Sequence, residues 1–279
     1  YNTALGPNQG RGIASGFWFN IGGESCAALQ LNVDGTLNLM IGTPDIGGSR
    51  ASMALMAAET LGVEYDDVRP IIGDTSSLGY TFLTGGSRAT FSSGMAVVQA
   101  SEDIIKQACA RAAKVWEIDE EAVTWEAGLI KPSGPNAGDF EPMSLADIAK
   151  HANKTGGPIA GHAQINAQGA APSFGVHVVD VEVDPETGKV DILRYTVLQD
   201  AGKAIHPAYV EGQFQGGAAQ GIGWALNEEY IYNDEGQMEN TGFLDYRIPV
   251  CSDLPMICLL YTSDAADEGL GVDLGGRRI

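Results

Sequence analysis

The chain has 279 residues, a formal net charge of −20 at pH 7, a hydrophobic share of 44% and 37 glycines. This length is enough for one or two domains with a real core, whereas the negative charge argues against binding to nucleic acid or to an anionic membrane surface. Glycine is nearly twice as frequent as its average share of roughly 7%, which indicates many turns and binding loops. The four cysteines form no C-x-x-C pair. Scattered thiols of this kind are typical of a reducing compartment, so we expect a cytoplasmic protein.

The first half of the chain predicts strands and helices in alternation. Apolar residues alternate on both sides of Asp34-Gly35, which predicts a hairpin over 25–41. Helical spacing of apolar residues predicts helices over 49–61 and 92–116, with a short strand over 68–73 between them. Residues 117–142 predict short strands and turns. Ser144 begins a sequence typical of a capping box, which predicts a helix to about residue 153.

The second half begins with a segment rich in Gly, Pro and Ala over 155–172, which predicts a connection. Strands over 175–183 and 190–199 flank the turn residues 184–188 and predict a second hairpin. A helix is predicted over about 207–229, followed by a final hairpin over 229–238 and 243–250. Strands and helices interleave without a regular βαβ alternation, so the predicted class is α+β. The chain also lacks a G-x-G-x-x-G motif between a strand and a helix, which argues against a nicotinamide cofactor.

Three glycine-containing segments beside predicted helices are the main candidates for function. They are Asp45-Ile-Gly-Gly-Ser-Arg50, Thr84-Gly-Gly-Ser-Arg-Ala-Thr90 and Gln215-Gly-Gly-Ala-Ala-Gln-Gly221. Glycine allows a ligand to approach the main chain closely, and a helix N-terminus offers unpaired N–H groups at the positive end of its dipole. Together the segments indicate a large anionic ligand held by main-chain amides. For each segment taken alone, an ordinary turn or helix cap is the alternative.

These segments, in this order and spacing, resemble the large molybdopterin-binding subunit of the xanthine dehydrogenase, aldehyde oxidase and carbon monoxide dehydrogenase family. The resemblance runs from about Arg11 to Ile257. Besides the glycine segments it includes Gly73-Asp-Thr75, Asp200-Ala-Gly-Lys-Ala-Ile-His-Pro207, Val210-Glu-Gly-Gln213, Gln220-Gly-Ile-Gly223, Glu228-Glu229 and Asp245-Tyr-Arg-Ile-Pro249. It implies an α+β molybdenum-cofactor-binding region, truncated at both ends, with two sub-domains at about 1–155 and 156–257.

The resemblance also implies a set of cofactor contacts. These are Ile46, Gly47, Gly48 and Ser49 in the first loop, Gly85, Gly86, Ser87, Arg88 and Ala89 in the second loop, and Gln220 as a hydrogen-bond partner of the pterin. The backbone of Gly86 would lie nearest to molybdenum. The first loop departs from the family pattern, which has Gly-Gln-Gly where this chain has Gly47-Gly48-Ser49. Either Ser49 or Arg50 replaces the glutamine as donor, or one pterin contact is absent.

Members of this family hydroxylate a carbon centre with oxygen from water and pass electrons to iron–sulfur clusters. The resemblance implies molybdenum bound to molybdopterin, with the cytosine dinucleotide form as one option. It also implies iron–sulfur and FAD partner domains or subunits, and a homodimer of heterotrimers. An aldehyde, a purine, an N-heterocycle and CO all stay open as substrates. The catalytic glutamate is expected beyond Ile257, so no catalytic residue is assigned and the fragment alone is expected to be inactive.

The residues themselves leave two points open, the role of an aromatic segment and the function of the whole chain. Phe17, Trp18 and Phe19 fit either the lining of a substrate channel or an aromatic strand that faces the core. The whole chain also fits a non-catalytic α+β binding or assembly module whose glycine loops are structural.

The last residues, 258–279, differ from the rest of the chain. Cys258-Leu-Leu-Tyr-Thr-Ser-Asp-Ala-Ala-Asp-Glu268 matches, in frame, the translation of a transposase-type sequencing adapter, and residues 272–279 match the end of the same adapter. We therefore expect a non-native tail without packing against the rest, and Glu268 is not a candidate for the catalytic glutamate. A genuine acidic linker is the alternative.

Overall fold

The computed structural model of the protein describes residues 4–74, 76–169 and 172–262. The strands are β1 (Gln9–Phe19), β2 (Gly23–Leu31), β3 (Leu37–Ile41), β4 (Val68–Ile72), β5 (Val123–Glu126), β6 (Leu129–Pro132), β7 (Ala160–Ala167), β8 (Pro172–Val183), β9 (Val190–Asp200) and β10 (Ile257–Thr262). The α-helices are α1 (Ser49–Leu61), α2 (Gly94–Trp116), α3 (Leu145–Lys150), α4 (Ala152–Thr155) and α5 (Pro207–Leu226). Mixed sheets with packed helices confirm the predicted α+β class.

The chain forms two units, whose limits differ from the boundary expected near residue 155. The first unit comprises residues 19–171, and the second comprises residues 1–18 and 172–279. Strand β7 pairs with β2 and therefore belongs to the first unit. Strand β1 lies beside β8 and therefore joins the second unit, although it comes first in the chain.

The first unit is built on a sheet with the strand order β4-β3-β2-β7, and α1 and α2 pack against it. Strands β2 and β3 are antiparallel, as the predicted hairpin requires, whereas β3 and β4 are parallel. The core between sheet and helices consists of buried apolar side chains. Its fully buried members include Leu29, Leu39, Ile41, Met53 and Ile104. Alanines on the buried face of α2 allow the helix to approach the sheet closely.

The predicted connection over 155–172 is wrong for residues 160–167, which form β7. Ala163 and Ala167 are buried against the rest of the first unit, and the side chain of Gln107 in α2 donates a hydrogen bond to Ala160 O at 2.8 Å. A Cβ atom at Gly161 would collide with the carbonyl of Ala100 in α2. The nearby helix α2 therefore requires small residues in β7. Because such residues are also typical of loops, the composition of this strand resembles that of a loop.

The second unit has a sheet with the order β1-β8-β9-β10, and α5 packs against it. The predicted hairpin of β8 and β9 is confirmed. The final predicted hairpin is wrong, because the described residues 229–250 contain only one isolated bridge, between Tyr232 and Met238. Phe243 and Leu244 are almost fully exposed and find no partner strand within the described part of the chain.

Strand β10 contradicts the expectation that residues 258–279 do not pack. Residues 257–262 pair with β9 in parallel, from Ile257 opposite Tyr195 to Thr262 opposite Asp200. Leu259 is 3% exposed and lies in the same cluster as Val197 and Ile222. The apolar sequence of this segment occupies the open edge of β9, whatever its origin. Residues 263–279 lie outside the described residues.

Leu259→Ala should destabilise the protein if β10 forms in solution. Removing this buried side chain should lower the free energy of unfolding by about 2–3 kcal/mol. Urea unfolding measures the change. Leu260→Ala is the control, since Leu260 is partly exposed on the opposite face of the strand. Equal and small effects of the two substitutions would show that this segment is not part of the folded sheet.

An ion-pair network joins three strands of the second unit around Asp180 in β8. The carboxylate accepts hydrogen bonds from Arg11 of β1 at 2.6 and 3.0 Å, and from Arg194 of β9 at 3.0 Å. Asp180 is only 5% exposed. The hydrogen bonds from Arg11, followed by those from Arg194, lower the pKa of Asp180 to about 2.

This network predicts a pH dependence of stability. The pKa of Asp180 is lower in the folded state than in the unfolded state, so its contribution is present above pH ~4 and is lost as the pH falls towards ~2. Asp180→Asn should therefore flatten this part of the pH profile of urea unfolding. Asp234→Asn, at an exposed position of the same unit, should leave the profile unchanged. Identical acid profiles for wild type and Asp180→Asn would contradict the role of the network.

Candidate functional site

The first glycine loop connects β3 to α1. Gly47 and Gly48 have φ angles of +61° and +78°, in the left-handed region that glycine adopts without strain. Gly48 is the N-cap residue of α1, so the loop ends at the positive end of the helix dipole. Ile46, at the tip of the loop, is 57% exposed. The loop thus presents backbone and one apolar side chain at a helix N-terminus.

Ser49 is fully committed to the internal structure of this loop. Its hydroxyl donates to Pro44 O at 3.2 Å and accepts from the amide of Ile46 at 3.3 Å. Its own amide donates to Ile46 O at 3.2 Å. Because the hydroxyl has a single proton, Ser49 does not replace the family's glutamine as a donor in this conformation.

Arg50 is the other residue that the sequence offers as a substitute donor. Its Nε lies 3.3 Å from Asp45 Oδ2, and its side chain is 52% exposed. The other carboxylate oxygen, Asp45 Oδ1, accepts from the amide of Arg50 at 3.0 Å. The guanidinium therefore stays at the surface beside the start of α1. Of the two candidates, only Arg50 has an exposed side chain.

The second glycine loop precedes α2 and has an unusual backbone. Gly86 and Ser87 have φ angles of +61° and +59°, and a positive φ is uncommon for a residue other than glycine. Such conformations often occur at functional sites. A single π-helical turn, Ala89–Ser93, then leads into α2. A π-turn within a helix is another feature often found at functional sites.

Gly86 has no room for a side chain. Its carbonyl accepts a hydrogen bond from the amide of Ile21 at 3.2 Å. A Cβ atom at Gly86 would lie 2.8 Å from Ile21 Cγ1 and 2.9 Å from Ile21 Cδ1. Glycine is therefore required here both by the positive φ and by the neighbouring isoleucine.

The two loops begin side by side. Thr43, which is 1% exposed, precedes the first loop, and Thr84 precedes the second. Their hydroxyl oxygens are 3.1 Å apart and share a hydrogen bond. The structure thus brings together two segments that are about 40 residues apart in sequence, as a single site requires.

Arg88 differs from the sequence expectation. Its side chain is 1% exposed and makes hydrogen bonds inside the first unit, so its guanidinium is not available to a cofactor. Sequence reasoning placed Arg88 in the loop correctly but could not show which way its side chain points.

Gln220 lies in α5, in the second unit, and is exposed. Its glycine segment is inside the helix, so the amides take part in helical hydrogen bonds and offer no helix N-terminus. Within 4 Å of a Cβ atom built at Gly216, Gly217 or Gly221 there is no other atom to meet. The glutamine side chain therefore stands on an open, glycine-lined face of the helix.

The aromatic strand near the N-terminus does not face a core. Phe17, Trp18 and Phe19 are 60%, 58% and 53% exposed. Within the second unit, Phe17 and Trp18 line a depression of about 330 Å³ together with His177 and Gln199. His177 Nδ1 is 2.8 Å from the hydroxyl of Tyr195, and burial lowers the pKa of His177. The expectation of a core-facing strand is wrong for these residues.

Nothing in the described residues forms an acidic or metal-binding centre. No group of three His, Cys, Asp or Glu residues is placed to hold a metal ion in this part of the chain. Glu228 accepts a hydrogen bond from Tyr246 at 2.6 Å, which raises the pKa of Tyr246 to about 12. Glu211 likewise accepts from Tyr261 at 3.0 Å. Among the described helices, none is long and apolar enough to cross a membrane.

Comparison with known proteins identifies the family. The family model of the molybdopterin cofactor-binding domain matches residues 3–255, and this chain belongs to that family. It is 34% identical to the putative xanthine dehydrogenase molybdenum-binding subunit of Escherichia coli, over 83% of this chain and 31% of that protein. It is 29% identical to subunit gamma of the 6-hydroxypseudooxynicotine dehydrogenase complex of Paenarthrobacter nicotinovorans, over 85% of this chain and 30% of that subunit.

Solved structures show the same fold. The Cu,Mo-CO dehydrogenase matches with a TM-score of 0.82 and 23% identity, over 91% of this chain and 34% of that one. Quinoline 2-oxidoreductase from Pseudomonas putida matches with a TM-score of 0.78 and 25% identity, over 91% and 35%. The chain thus spans about a third of the length of these relatives.

Ser49→Ala should weaken the first loop, because the substitution removes the hydroxyl that bridges Pro44 and Ile46. We expect a loss of about 1 kcal/mol in the free energy of unfolding, measured with urea. Ser52→Ala is a matched control in the same helix, since no hydrogen bond of the Ser52 hydroxyl is found among the described residues. An unchanged stability of Ser49→Ala would show that the bridge does not hold the loop.

Proposed function

We propose that this chain is part of the large subunit of a molybdenum hydroxylase and that it binds a molybdopterin cofactor. The observation that carries the proposal is the pair of adjacent glycine loops before α1 and α2, in a chain of the molybdopterin cofactor-binding family. A pterin with phosphate groups requires many N–H donors and close approach to the main chain. Both loops contain glycines, whose lack of a side chain allows a ligand to approach the main chain closely.

The proposed contacts follow the geometry of the loops. Ile46, Gly47 and Gly48 form the first contact segment, and the backbone of Gly85, Gly86, Ser87 and Ala89 forms the second. Gln220 donates to the pterin from the face of α5. Ser49 and Arg88 support the loops from within, and Arg50 is the residue that takes the place of the family's glutamine. Ile21 occupies the space into which a side chain at residue 86 would point, so Gly86 would contact the metal only through its backbone.

The bound molybdenum cofactor supplies oxidation of a substrate carbon with oxygen from water. The described residues contribute binding and orientation through amides and one glutamine. No described carboxylate is assigned as the base, and the glutamate that serves as base is proposed to lie beyond Ile257.

The complete protein is proposed to act on an aldehyde, a purine or an N-heterocycle. The names of relatives, among them a xanthine dehydrogenase and a nicotine 6-hydroxylase, support the proposal. Iron–sulfur and FAD partners, the cytosine dinucleotide form of the cofactor, a homodimer of heterotrimers and a cytoplasmic location belong to the same proposal. The names of two relatives, a subunit gamma and a carbon monoxide dehydrogenase large chain, support a multi-subunit enzyme.

The proposal is tested at Gly86 in the full-length large subunit produced with its partner subunits. Gly86→Ala alone would collide with Ile21, so the decisive variant combines Gly86→Ala with Ile21→Ala, which makes room for the new methyl group. Alanine in the left-handed conformation of residue 86 costs roughly 1–2 kcal/mol, so the backbone of the loop should leave the conformation that holds the cofactor. We expect this double variant to fold but to hold roughly tenfold less molybdenum per polypeptide, measured by elemental analysis of purified protein. Ile21→Ala alone should keep the metal.

Gly138→Ala is the control for backbone strain. Gly138 has a φ of +84° and an open surrounding, so alanine there suffers the same left-handed strain without a neighbour. It should keep its molybdenum. A double variant at Gly86 and Ile21 with full molybdenum occupancy would show that this loop is only structural and that the proposed cofactor contact at Gly86 is wrong. A wild-type subunit without molybdenum would reject the proposed function altogether.

A further inference from the structure

We propose that Arg88 is the positioning residue of the second glycine loop: its buried guanidinium fixes the backbone of Gly85, Gly86 and Ser87 for the cofactor without touching it. The inference rests on the proposed function for the identity of the ligand. The part that concerns the loop itself rests on contacts within the first unit.

The guanidinium of Arg88 is surrounded by oxygen acceptors. Nε donates to Gly22 O at 2.8 Å, and Nη1 donates to Phe82 O and Leu83 O at 3.0 and 3.2 Å. Nη2 donates to Glu24 O at 2.6 Å. Two serine hydroxyls complete the set around Nη2, Ser25 at 2.7 Å and Ser92 at 3.0 Å. All three nitrogens are thus engaged, which a side chain that is 1% exposed requires.

These acceptors come from three different segments. Gly22, Glu24 and Ser25 lie at the start of β2, Phe82 and Leu83 lie just before the loop, and Ser92 lies in the first turn after it. Ser92 Oγ in addition donates to Gly23 O at 2.8 Å, which ties the same helical turn to β2. The loop is therefore held at its entrance and at its exit by one side chain, and only residues 84–87 bridge the two ends.

The site requires arginine rather than a positive charge in general. No carboxylate lies within ion-pair distance of Arg88 among the described residues. Burial lowers the pKa of Arg88, and the negative charge of Glu24 opposes this shift. A guanidinium has five N–H donors in a planar arrangement, whereas an ammonium group has three N–H donors on a single nitrogen. Lysine would keep the charge but leave several carbonyls without a donor.

The loop has a conformation that needs such support. Two successive positive φ angles, one of them at Ser87, are unfavourable in an isolated chain. They persist when the surroundings determine them. The amide of Ile21 donates to the carbonyl of Gly86, and the hydroxyls of Thr84 and Thr43 share a hydrogen bond. Arg88 is the side chain of the loop that contacts both β2 and the helical turn before α2.

Backbone hydrogen exchange, followed by mass spectrometry, tests the inference in the wild-type chain and in Arg88→Lys and Arg88→Met. We expect exchange of the amides in 84–89 to rise at least about tenfold in Arg88→Lys, while amides in 104–116 of α2 keep their wild-type rates. Arg111→Met is the control, because Arg111 also donates to main-chain carbonyls, those of Thr155 and Gly156, at the other end of α2. It should speed exchange near 152–157 and leave 84–89 unchanged.

Molybdenum content of the full-length subunit provides the second readout. Arg88→Lys should hold roughly tenfold less molybdenum per folded polypeptide than Arg111→Met. The comparison is made between preparations of the two variants that have the same Tm. If Arg88→Met does not fold, Arg88→Lys alone tests the role of Arg88.

Unchanged exchange in 84–89 of Arg88→Lys would overturn the inference, as would a rise of equal size across all amides, which indicates global destabilisation. Faster loop exchange with wild-type molybdenum content would also overturn it, because the loop would then not need Arg88 to hold the cofactor. A local rise in exchange together with a wild-type subunit that never holds molybdenum would reject the proposed function, and would leave the role of Arg88 in the loop standing.

Discussion

The first unit depends on the satisfaction of one buried cation. A guanidinium removed from water is costly unless its donors are paired, so the acceptors around Arg88 must hold their places. These acceptors are main-chain carbonyls of β2 and of the segment before the loop, together with two serine hydroxyls. Arg88 therefore contacts the start of the sheet, the segment before the loop and the first turn after it at once. The hydrogen bonds from Ser92 Oγ to Gly23 O and from the amide of Phe82 to Glu24 O join the same segments.

Close packing supplies the second constraint. The buried face of α2 consists largely of alanine, and Gly161 of β7 lies against the backbone of this helix. At Gly94, where α2 begins, a Cβ atom would lie 2.6 Å from Met56 Cε of α1. Glycine at position 94 thus allows the start of α2 to lie close to α1, and glycine at position 161 allows β7 to lie close to α2.

The candidate site was only partly accessible to sequence reasoning. Motif order and spacing identified the family, and two of the three glycine segments that they marked lie together in the first unit. The hydroxyl of Ser49 and the guanidinium of Arg88 are turned to internal acceptors, which no local pattern indicates. For Ser49 the chain's own departure from the family's glutamine was the available signal. No sequence signal indicated the contact between Thr43 and Thr84, because a single threonine before a loop is an ordinary feature.

The sequence by itself determined the elements whose stability depends on near neighbours: α1 and α2 from helical periodicity, and the hairpins of β2 with β3 and β8 with β9 from alternation around a turn. It also determined membership of the family through the order of its motifs. Only the tertiary structure decided that β7 and β10 are strands and that Arg88 points inward. Each of these depends on groups distant in sequence: β2 and α2 for β7, the open edge of β9 for β10, and the carbonyls of residues 22–24 for Arg88.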